Sequence, residues 1–394
     1  MSARSPRSPE TTARTAVAAV FALNGFAFAS WVSRIPQART ALDLTPGELG
    51  TLLLALSMGS MVGLPLAGTL VHRFGAAGVV GCTAVVDAVG LVGAGLGAGT
   101  FGWVWLTAVG LFLAGFGSGL WDVAMNVEGA EVERRLGRTI MPRFHAAFSL
   151  GTVAGAALGA AAAGTGVPIA VHLAAAAVAV AAPALWAARS FLPAGTGEEP
   201  EQRPRHPLRA WAESRTLLIG LMVLAMALTE GVANDWLAVA LVDGYDVPAW
   251  VGASGFALFV TAMTTGRVLG TGLLDRFGRL PVLWASMALA AVGVLGVVLG
   301  GAAGVAAAGI VLWGLGASLG FPVGMSAAAD DPTYAAARVS TVSTIGYTAF
   351  LVGPPALGFL GDHVGVLHAL LVVAALLVPA ALAVPAARPI DREP

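Results

Sequence analysis

The chain has few charged residues and no lysine at all. Charged side chains make up 11% of its 394 residues, whereas a typical soluble protein has about 25%. All 21 basic side chains are arginines, and 57% of the residues are hydrophobic. So few polar groups cannot cover the surface of a soluble protein of this length. The sequence therefore predicts that lipid is the main solvent, and the missing lysine excludes the Gly-x-x-x-x-Gly-Lys-Ser/Thr loop that binds ATP.

Cysteine is also scarce, and the overall charge is small. Cys82 is the single cysteine, which excludes an internal disulfide and a metal site built from several cysteines. The formal net charge of −1 gives no general attraction for nucleic acid. The sequence offers no helix-borne pair of metal ligands and no clear nucleophile with a base, and His145 near Ser149 comes closest. We therefore expect no metal, no cofactor, no nucleic-acid partner and no enzymatic activity.

Long apolar runs recur along the whole chain. A helix needs about 20 apolar residues to cross a bilayer core about 30 Å thick, and a helix satisfies its own backbone hydrogen bonds without water. Twelve segments meet this requirement, near residues 15–35, 47–71, 77–98, 102–127, 142–165, 168–189, 215–241, 249–274, 280–300, 302–328, 336–360 and 364–387. The sequence thus predicts an all-α membrane protein with twelve transmembrane helices.

The arginines predict how these segments are oriented. Arginine in short loops stays preferentially on the cytoplasmic side of a membrane. With the N-terminus inside, 18 of the 21 arginines are cytoplasmic, Arg34 and Arg39 are outside, and Arg267 lies within segment eight. Both termini are therefore expected in the cytoplasm.

A polar stretch rich in Pro, Glu and Arg separates six segments from six. Its composition is typical of a flexible or surface-lying linker. The predicted organisation is an N-terminal tail, a six-helix bundle, a cytoplasmic linker, a second six-helix bundle and a C-terminal tail, at residues 1–14, 15–190, 191–214, 215–387 and 388–394.

Local patterns recur between the two halves at a nearly constant offset. The pattern Leu-x-x-Arg-Phe-Gly follows segment two and segment eight, 203 residues apart. Phe148 and Phe350 are separated by 202 residues, and Trp31 and Trp236 by 205. Such offsets on equivalent helices indicate two parallel six-helix repeats.

On these features the chain resembles the major facilitator superfamily over essentially its full length. The family's loop motif, Gly-x-Leu-x-Asp-Arg-x-Gly-Arg, follows segments two and eight. Thr271 replaces the first glycine of the second copy, while His72 and Ala76 replace the aspartate and the last arginine of the first copy. The resemblance implies two pseudo-symmetric bundles that work by alternating access. It also implies a gating role for the motif residues Gly68, Arg73, Gly75, Asp275, Arg276 and Gly278.

Segments four and five carry the first group of polar residues. Asp122 and Asn126 are four residues apart and share one face of a helix. Segment five folds back antiparallel, which would bring His145 and Ser149 alongside them. The four residues could form a polar cluster that binds substrate, or they could only join the two helices by hydrogen bonds. The surrounding string resembles a branch of bacterial inner-membrane facilitators whose substrates are largely unassigned, so we expect that membrane as the location.

Segment seven carries the second group. Glu230 and Asn234 share a face near its middle, and Asp235 lies a turn closer to the outside. An ionisable side chain in the apolar slab costs about 2.5 to 3.5 kcal/mol on insertion scales, so it suggests a function. A carboxylate that alternates between a buried and a wet environment can bind a proton on one side and release it on the other. The proton-coupling candidates are Glu230 first, then Asp122 and Asp235.

In the facilitator arrangement, helices one, four, seven and ten line the central cavity. The substrate-binding candidates are the polar and aromatic residues Asn24, Phe28, Trp31, Trp121, Asn126, His145, Ser149, Asn234, Trp313 and Tyr347. Arg267 precedes Asp275 by two helical turns, so we expect it to point toward the cytoplasmic gate and to find an acidic partner there. We therefore assign Arg267 to gating or to a structural ion pair.

The leading hypothesis is a monomeric secondary active transporter that couples a small-molecule substrate to protons. The candidate residues suit a small neutral polyhydroxy compound or an organic cation, and uptake and efflux are both open. Sodium coupling, an uncoupled uniporter, and a membrane sensor or scaffold that does not transport are the alternatives.

Overall fold

A computed structural model describes residues 8–137, 140–193, 207–331 and 334–390. Within these ranges the regular structure is helical, and there is no β-strand. The helices are α1 Pro9–Val32, α2 Ile35–Ala41, α3 Pro46–Leu96, α4 Val104–Leu136, α5 Met141–Gly164, α6 Ile169–Ala188, α7 Ser214–Val232, α8 Ala238–Tyr245, α9 Ala249–Phe277, α10 Arg279–Leu299, α11 Ala303–Ala317, α12 Gly320–Ala328, α13 Ala335–Val364, α14 Val366–Ala369 and α15 Leu371–Ala383. The prediction of an all-α membrane protein is confirmed.

Eleven helical stretches of the described chain are long and apolar enough to cross a membrane. One of them, Pro46–Phe101, contains the predicted segments two and three. A straight helix of the length of α3 would extend about 77 Å at 1.5 Å per residue, far more than the apolar thickness of a bilayer. Gly75 interrupts α3 with non-helical φ and ψ of 73° and 158°. The break at Gly75 therefore reconciles the eleven stretches with twelve predicted crossings.

The first helix begins earlier than its apolar run indicates. The prediction started segment one at residue 15, whereas α1 begins at Pro9. Ser8 caps this helix, since its side chain accepts a hydrogen bond from the backbone N–H of Thr11. Proline at the first position and Glu10 in the first turn favour a helix start for geometric and electrostatic reasons. Of the predicted tails, residues 1–7 and 391–394 lie outside the described residues.

The chain divides into two compact units. Unit 1 comprises Met1–Leu44 and Leu52–Glu198, and unit 2 comprises Thr45–Thr51 and Glu199–Pro394. Most of the predicted linker, residues 194–206, lies outside the described residues, and a short 3₁₀ helix, Pro207–Ala212, precedes α7. The beginning of the linker is attached to unit 1, because the backbone N–H of Leu192 donates to the Glu128 carboxylate over 2.7 Å.

Backbone geometry repeats between the units at the offset seen in the sequence. Asp43 and Asp246 both have a φ of 52°, and they are 203 residues apart. Gly75 and Gly278 have φ of 73° and 77° at the same separation. Left-handed backbone is uncommon and local in origin, so its recurrence at equivalent places is independent evidence for the repeat. The two pseudo-symmetric six-helix bundles are thus confirmed.

Candidate functional site

The polar pair predicted on segment four forms within α4. The side-chain amide of Asn126 donates to the backbone carbonyl of Asp122 over 2.8 Å and to its carboxylate over 3.4 Å. Both side chains are half-buried. The pair lies one helical turn apart on one face, as its spacing indicates.

The two candidates on α5 have contacts outside this pair. The hydroxyl of Ser149 donates to the backbone carbonyl of His145 on its own helix, 3.1 Å away. Serine in a helix commonly bonds the carbonyl four residues earlier. The ring of His145 meets the ring of Phe21 edge-on, with 5.3 Å between the ring centres. The cluster of these two residues with the α4 pair stays a prediction.

Asn24 has a different partner, one that the sequence prediction missed. The hydroxyl of Ser118 on α4 donates to the Asn24 side-chain oxygen over 3.2 Å, and the Asn24 amide nitrogen is buried without a partner. Ser118 precedes Asp122 by four residues, so Ser118, Asp122 and Asn126 form one stripe along α4. This spacing was visible in the sequence and could have identified Ser118.

The large aromatic candidates of unit 1 are mostly enclosed. Trp31 and Trp121 are fully buried, and neither indole N–H has a partner. Phe28 is half-buried. Burial of a tryptophan without a hydrogen bond leaves a polar atom unsatisfied, so these rings are held by packing.

Unit 2 holds an ion pair between α7 and α9. A terminal guanidinium nitrogen of Arg267 on α9 lies 3.1 and 3.0 Å from the two carboxylate oxygens of Glu230 on α7. The Arg267 Nε lies 3.4 Å from the backbone carbonyl of Ser318. The side chains are 31% and 19% exposed, respectively. The pair is therefore only partly shielded from solvent and is held from two helices.

The acidic partner of Arg267 differs from the expected one. The prediction looked for it at the end of the helix near Asp275, whereas it is Glu230. Side chains on a helix are inclined toward the N-terminus of that helix. Arg267 therefore extends away from Asp275, which follows it in α9.

A π-helical turn that begins three residues after Glu230 interrupts the seventh segment. It spans Ala233–Leu237 between α7 and α8 and contains Asn234, Asp235 and Trp236. Asn234 is buried, and Asp235 is half-buried. Single π turns inside helices are frequent at functional sites, because they change the direction of the side chains that follow. The sequence was interpreted as a regular helix here, so the turn was missed.

Trp313 connects α11 to the same part of α7. Its indole N–H donates to the backbone carbonyl of Thr229 over 3.1 Å. Its ring meets Phe259 edge-on at 5.6 Å, and the side chain is fully buried. The residue thus supports the backbone immediately before Glu230.

Tyr347 on α13 belongs to an aromatic group that was also missed. Its ring centre lies 6.1 Å from that of Phe321 and 6.4 Å from that of Phe350. These distances are within the range in which aromatic pairs attract each other. The Tyr347 side chain is 41% exposed, whereas Trp313 is fully buried.

Both copies of the loop motif adopt the same local geometry. Gly75 and Gly278 have positive φ, and a guanidinium lies over the following phenylalanine ring in each copy. The distance to the ring centre is 5.3 Å for Arg73 and 5.2 Å for Arg276. Asp275 is exposed, and the surroundings of Gly68 are open. The first copy therefore keeps its shape although it has lost the aspartate of the motif.

Unit 2 has a further charge network that sequence reasoning did not predict. Asp330 accepts hydrogen bonds from Arg215 and Arg279, each over 2.9 Å. Arg338 is 2.7 Å from Glu213 and 3.4 Å from Asp331. These contacts place the starts of α7, α10 and α13 and the end of α12 on one side of unit 2.

The described residues contain no group of His, Cys, Asp and Glu that could hold a metal ion. Their chemistry is that of ion pairs, amides, hydroxyls and aromatic rings. Such groups can bind a polar solute and exchange a proton, and in a lipid-embedded helix bundle both properties suit transport.

Known proteins agree with this fold. The family model of the Major Facilitator Superfamily matches residues 17–347. An uncharacterised MFS-type transporter of Yersinia pestis is 31% identical over 346 residues, which cover 87% of each chain. An uncharacterised transporter of Sinorhizobium fredii is 33% identical over 347 residues, covering 88% of this chain and 90% of its own.

Solved structures with much lower identity share the architecture. A point mutant of the nucleoside transporter NupG has a TM-score of 0.77 at 14% identity and covers 95% of this chain and 99% of its own. A point mutant of the fucose:proton symporter FucP of E. coli has a TM-score of 0.63 at 16% identity, with coverages of 95% and 98%. At such identities the likeness shows the fold alone. The matched family model and the two relatives above 30% identity show that this multi-pass membrane protein belongs to the Major Facilitator Superfamily of transporters.

Proposed function

We propose that the protein is a proton-coupled secondary active transporter of a small polar molecule in the bacterial inner membrane. The observation that carries the proposal is the ion pair between Glu230 and Arg267, which adjoins the π turn of the seventh segment. The protein works as a monomer by alternating access, with both termini in the cytoplasm.

The ion pair provides two discrete chemical states. When Glu230 is ionised, it neutralises Arg267. When Glu230 binds a proton, the pair loses its attraction, and the guanidinium becomes free to bind another group. A buried charge without a partner is costly, so protonation favours entry of a solute that can hydrogen-bond to Arg267. Proton binding and substrate binding are linked through one arginine, which is the requirement for coupled transport.

Other carboxylates are secondary candidates for the proton site. Asp122 is engaged by Asn126, and Asp235 lies in the π turn itself. Neither forms an ion pair with an arginine among the described residues. We rank both below Glu230, because protonation of either would release no cation.

The polar groups favour a small neutral polyhydroxy compound as the substrate. In unit 1 the binding groups are Asn24, Ser118, Asp122 and Asn126, which present amides, a hydroxyl and a carboxylate. In unit 2 they are Arg267, Asn234 and Tyr347, and the remaining candidates are Phe28, Trp31, Trp121, His145, Ser149 and Trp313. FucP and NupG, which share the fold, carry fucose and a nucleoside by their names. An organic cation is the competing substrate class.

The two motif loops are the proposed gating elements. Their shared geometry at Gly75 and Gly278, with Arg73 and Arg276 over the next ring, gives each unit a rigid turn with a positive charge. Gly68 and Asp275 complete the loops. Arg267 belongs to the coupling pair in this proposal and affects gating only through Glu230.

The experiment uses purified full-length protein in proteoliposomes. A thermal-shift screen of sugars, nucleosides and organic cations first finds a ligand, since binding to the folded state raises its apparent stability. Radiolabelled ligand is then followed with and without an imposed pH gradient. We expect accumulation driven by the gradient in the wild type and its loss in Glu230→Gln, while exchange of ligand across the membrane persists.

Glu131→Gln is the matched control. Glu131 also pairs with arginines, Arg134 and Arg135, but at the exposed end of α4, so its loss should leave accumulation unchanged. Unchanged accumulation in Glu230→Gln would refute proton coupling through this residue. Ligand binding without any flux in the wild type would instead support a sensor.

A further inference from the structure

Arg34 is a fully buried arginine that lacks a negative partner. It follows α1 in unit 1, and its side chain is 0% exposed. One terminal nitrogen donates to the backbone carbonyl of Val167, while Nε and the other terminal nitrogen have no partner. Among the described residues, no carboxylate forms an ion pair with Arg34. A buried guanidinium is normally paired or neutralised, so this one calls for an explanation.

His172 on α6 is a second buried side chain whose polar atoms lack partners. Both of its ring nitrogens are unpartnered, and the residue is 9% exposed. A neutral imidazole always carries one N–H donor. Buried polar groups in folded proteins have partners in the large majority of cases, so two neighbouring exceptions point to a bound species.

Three contacts bring Arg34 and His172 to one place. The Arg34 guanidinium donates to the carbonyl of Val167. The backbone N–H of His172 donates to the carbonyl of Pro168, which follows Val167 in the chain, over 3.0 Å. A Cβ on Gly159 of α5 would overlap the hydroxyl of Ser33 and would lie 3.4 Å from the His172 ring. Ser33 and His172 therefore flank the same glycine, and Arg34 directly follows Ser33.

We propose that Arg34 and His172 form a binding site for a small monovalent anion of the halide class. The donors are an unpartnered N–H of the guanidinium and one N–H of the imidazole. One fixed positive charge balances one negative charge, whereas a divalent anion would leave a second charge uncompensated in an apolar surrounding. The near-complete burial of both side chains restricts the site to a small ion. This site is separate from the ion pair of Glu230 and Arg267 in unit 2 and does not depend on the proposed function.

Gln37, three residues after Arg34, allows a test of whether the partner of Arg34 is an anion or a side chain of the protein itself. Its side-chain oxygen is also buried without a partner. If this oxygen were the true partner of Arg34, Gln37→Leu would destabilise the protein and halide would have no effect. With an anion at the guanidinium, Gln37→Leu leaves the response to halide intact.

The test measures thermal unfolding of the full-length protein in detergent with sodium chloride, bromide or gluconate at constant ionic strength. We expect a midpoint that rises with chloride or bromide and saturates, and no such rise with gluconate. Arg34→Gln should lose the halide response. Arg39→Gln, which changes an arginine of the adjacent helix α2 that donates to the Leu44 carbonyl, should keep it. Identical midpoints in all three salts, or an equal halide response in Arg34→Gln, would overturn the proposal.

Two further measurements keep the proposal testable if Arg34→Gln does not fold. His172→Leu removes one hydrogen bond, so the half-saturating halide concentration should rise about tenfold. Crystals grown in bromide should show an anomalous peak within hydrogen-bond distance of Arg34. A bromide-containing crystal with no peak there, or an unchanged half-saturating concentration in His172→Leu, would contradict an anion at this site.

Discussion

Units 1 and 2 repeat one backbone plan but differ in where they place charge. The left-handed turns at Gly75 and Gly278 recur 203 residues apart, and so does the stacking of an arginine on the following ring. The ion pair between Glu230 and Arg267 has no counterpart at the corresponding positions of unit 1. At the same offset Arg267 corresponds to Leu64, and at the offset of the paired tryptophans Glu230 corresponds to Gly25.

This difference separates the residues that make the fold from those that carry its chemistry. Turns, helix contacts and membrane crossings follow the repeat, because both units must solve the same packing problem in lipid. Unit 1 contributes an uncharged contact between Ser118 and Asn24 and a carboxylate bonded to an amide. Unit 2 contributes a carboxylate bonded to a guanidinium. We infer that proton coupling resides in unit 2, where protonation changes the charge balance of a pair.

The largest expected effect on stability comes from breaking the ion pair of unit 2. Arg267→Leu leaves Glu230 without its partner, and removal of one member of a buried pair costs about 3 to 5 kcal/mol. Since both side chains are partly exposed, we expect the lower end of that range. Thermal or denaturant unfolding in detergent measures it.

The double variant Glu230→Leu/Arg267→Leu is the control for this prediction. It removes both charges, so stability should recover to near that of the wild type while coupled transport stays absent. A double variant as unstable as Arg267→Leu would show that the two charges do not act as a pair.

The second-largest effect on stability should come from the glycines of the two motif loops, and it should be equal in both units. Gly75→Ala and Gly278→Ala force a side chain into a backbone conformation that is essentially restricted to glycine, which costs about 1 to 3 kcal/mol. Gly68→Ala is the matched control, because a Cβ there meets nothing within 4 Å. Unfolding midpoints should fall by similar amounts in the first two variants and hardly change in the third. A large difference between Gly75→Ala and Gly278→Ala would argue against equivalent loops.

The smallest effect distinguishes the tryptophans of the two units. Trp313→Phe removes the hydrogen bond to the Thr229 carbonyl, whereas Trp121→Phe removes an N–H that has no partner. Both changes lose similar volume, so the difference in unfolding free energy isolates one hydrogen bond, about 1 kcal/mol. Equal losses would mean that the bond from Trp313 contributes nothing to stability.

Sequence reasoning predicted the fold because its signals are local and repeated. Apolar runs define the crossings, and the loop motif identifies the family. The pairing of Asp122 with Asn126 was also accessible, since four residues along a helix return to the same face. Ser118, four residues earlier, obeys the same rule and was overlooked.

The rest of the site depends on contacts between helices and on local departures from regularity. Glu230 and Arg267 are 37 residues apart on two helices, and no periodicity links them. The π turn after Glu230 adds one residue to a helical turn without any sequence mark such as proline. Ser149 could have donated to a neighbouring helix, but it bonds to its own backbone instead. Such choices are decided by packing, which a single sequence does not reveal.

The central claim is that Glu230 carries the proton that accompanies the substrate. The direct measurement is the pH change in a weakly buffered suspension of proteoliposomes when a transported ligand is added without an imposed gradient. The account predicts proton movement together with ligand for the wild type and for Asp122→Asn and Asp235→Asn. It predicts ligand movement without proton movement for Glu230→Gln. Proton movement that persists in Glu230→Gln, or that disappears only in Asp122→Asn or Asp235→Asn, would contradict it.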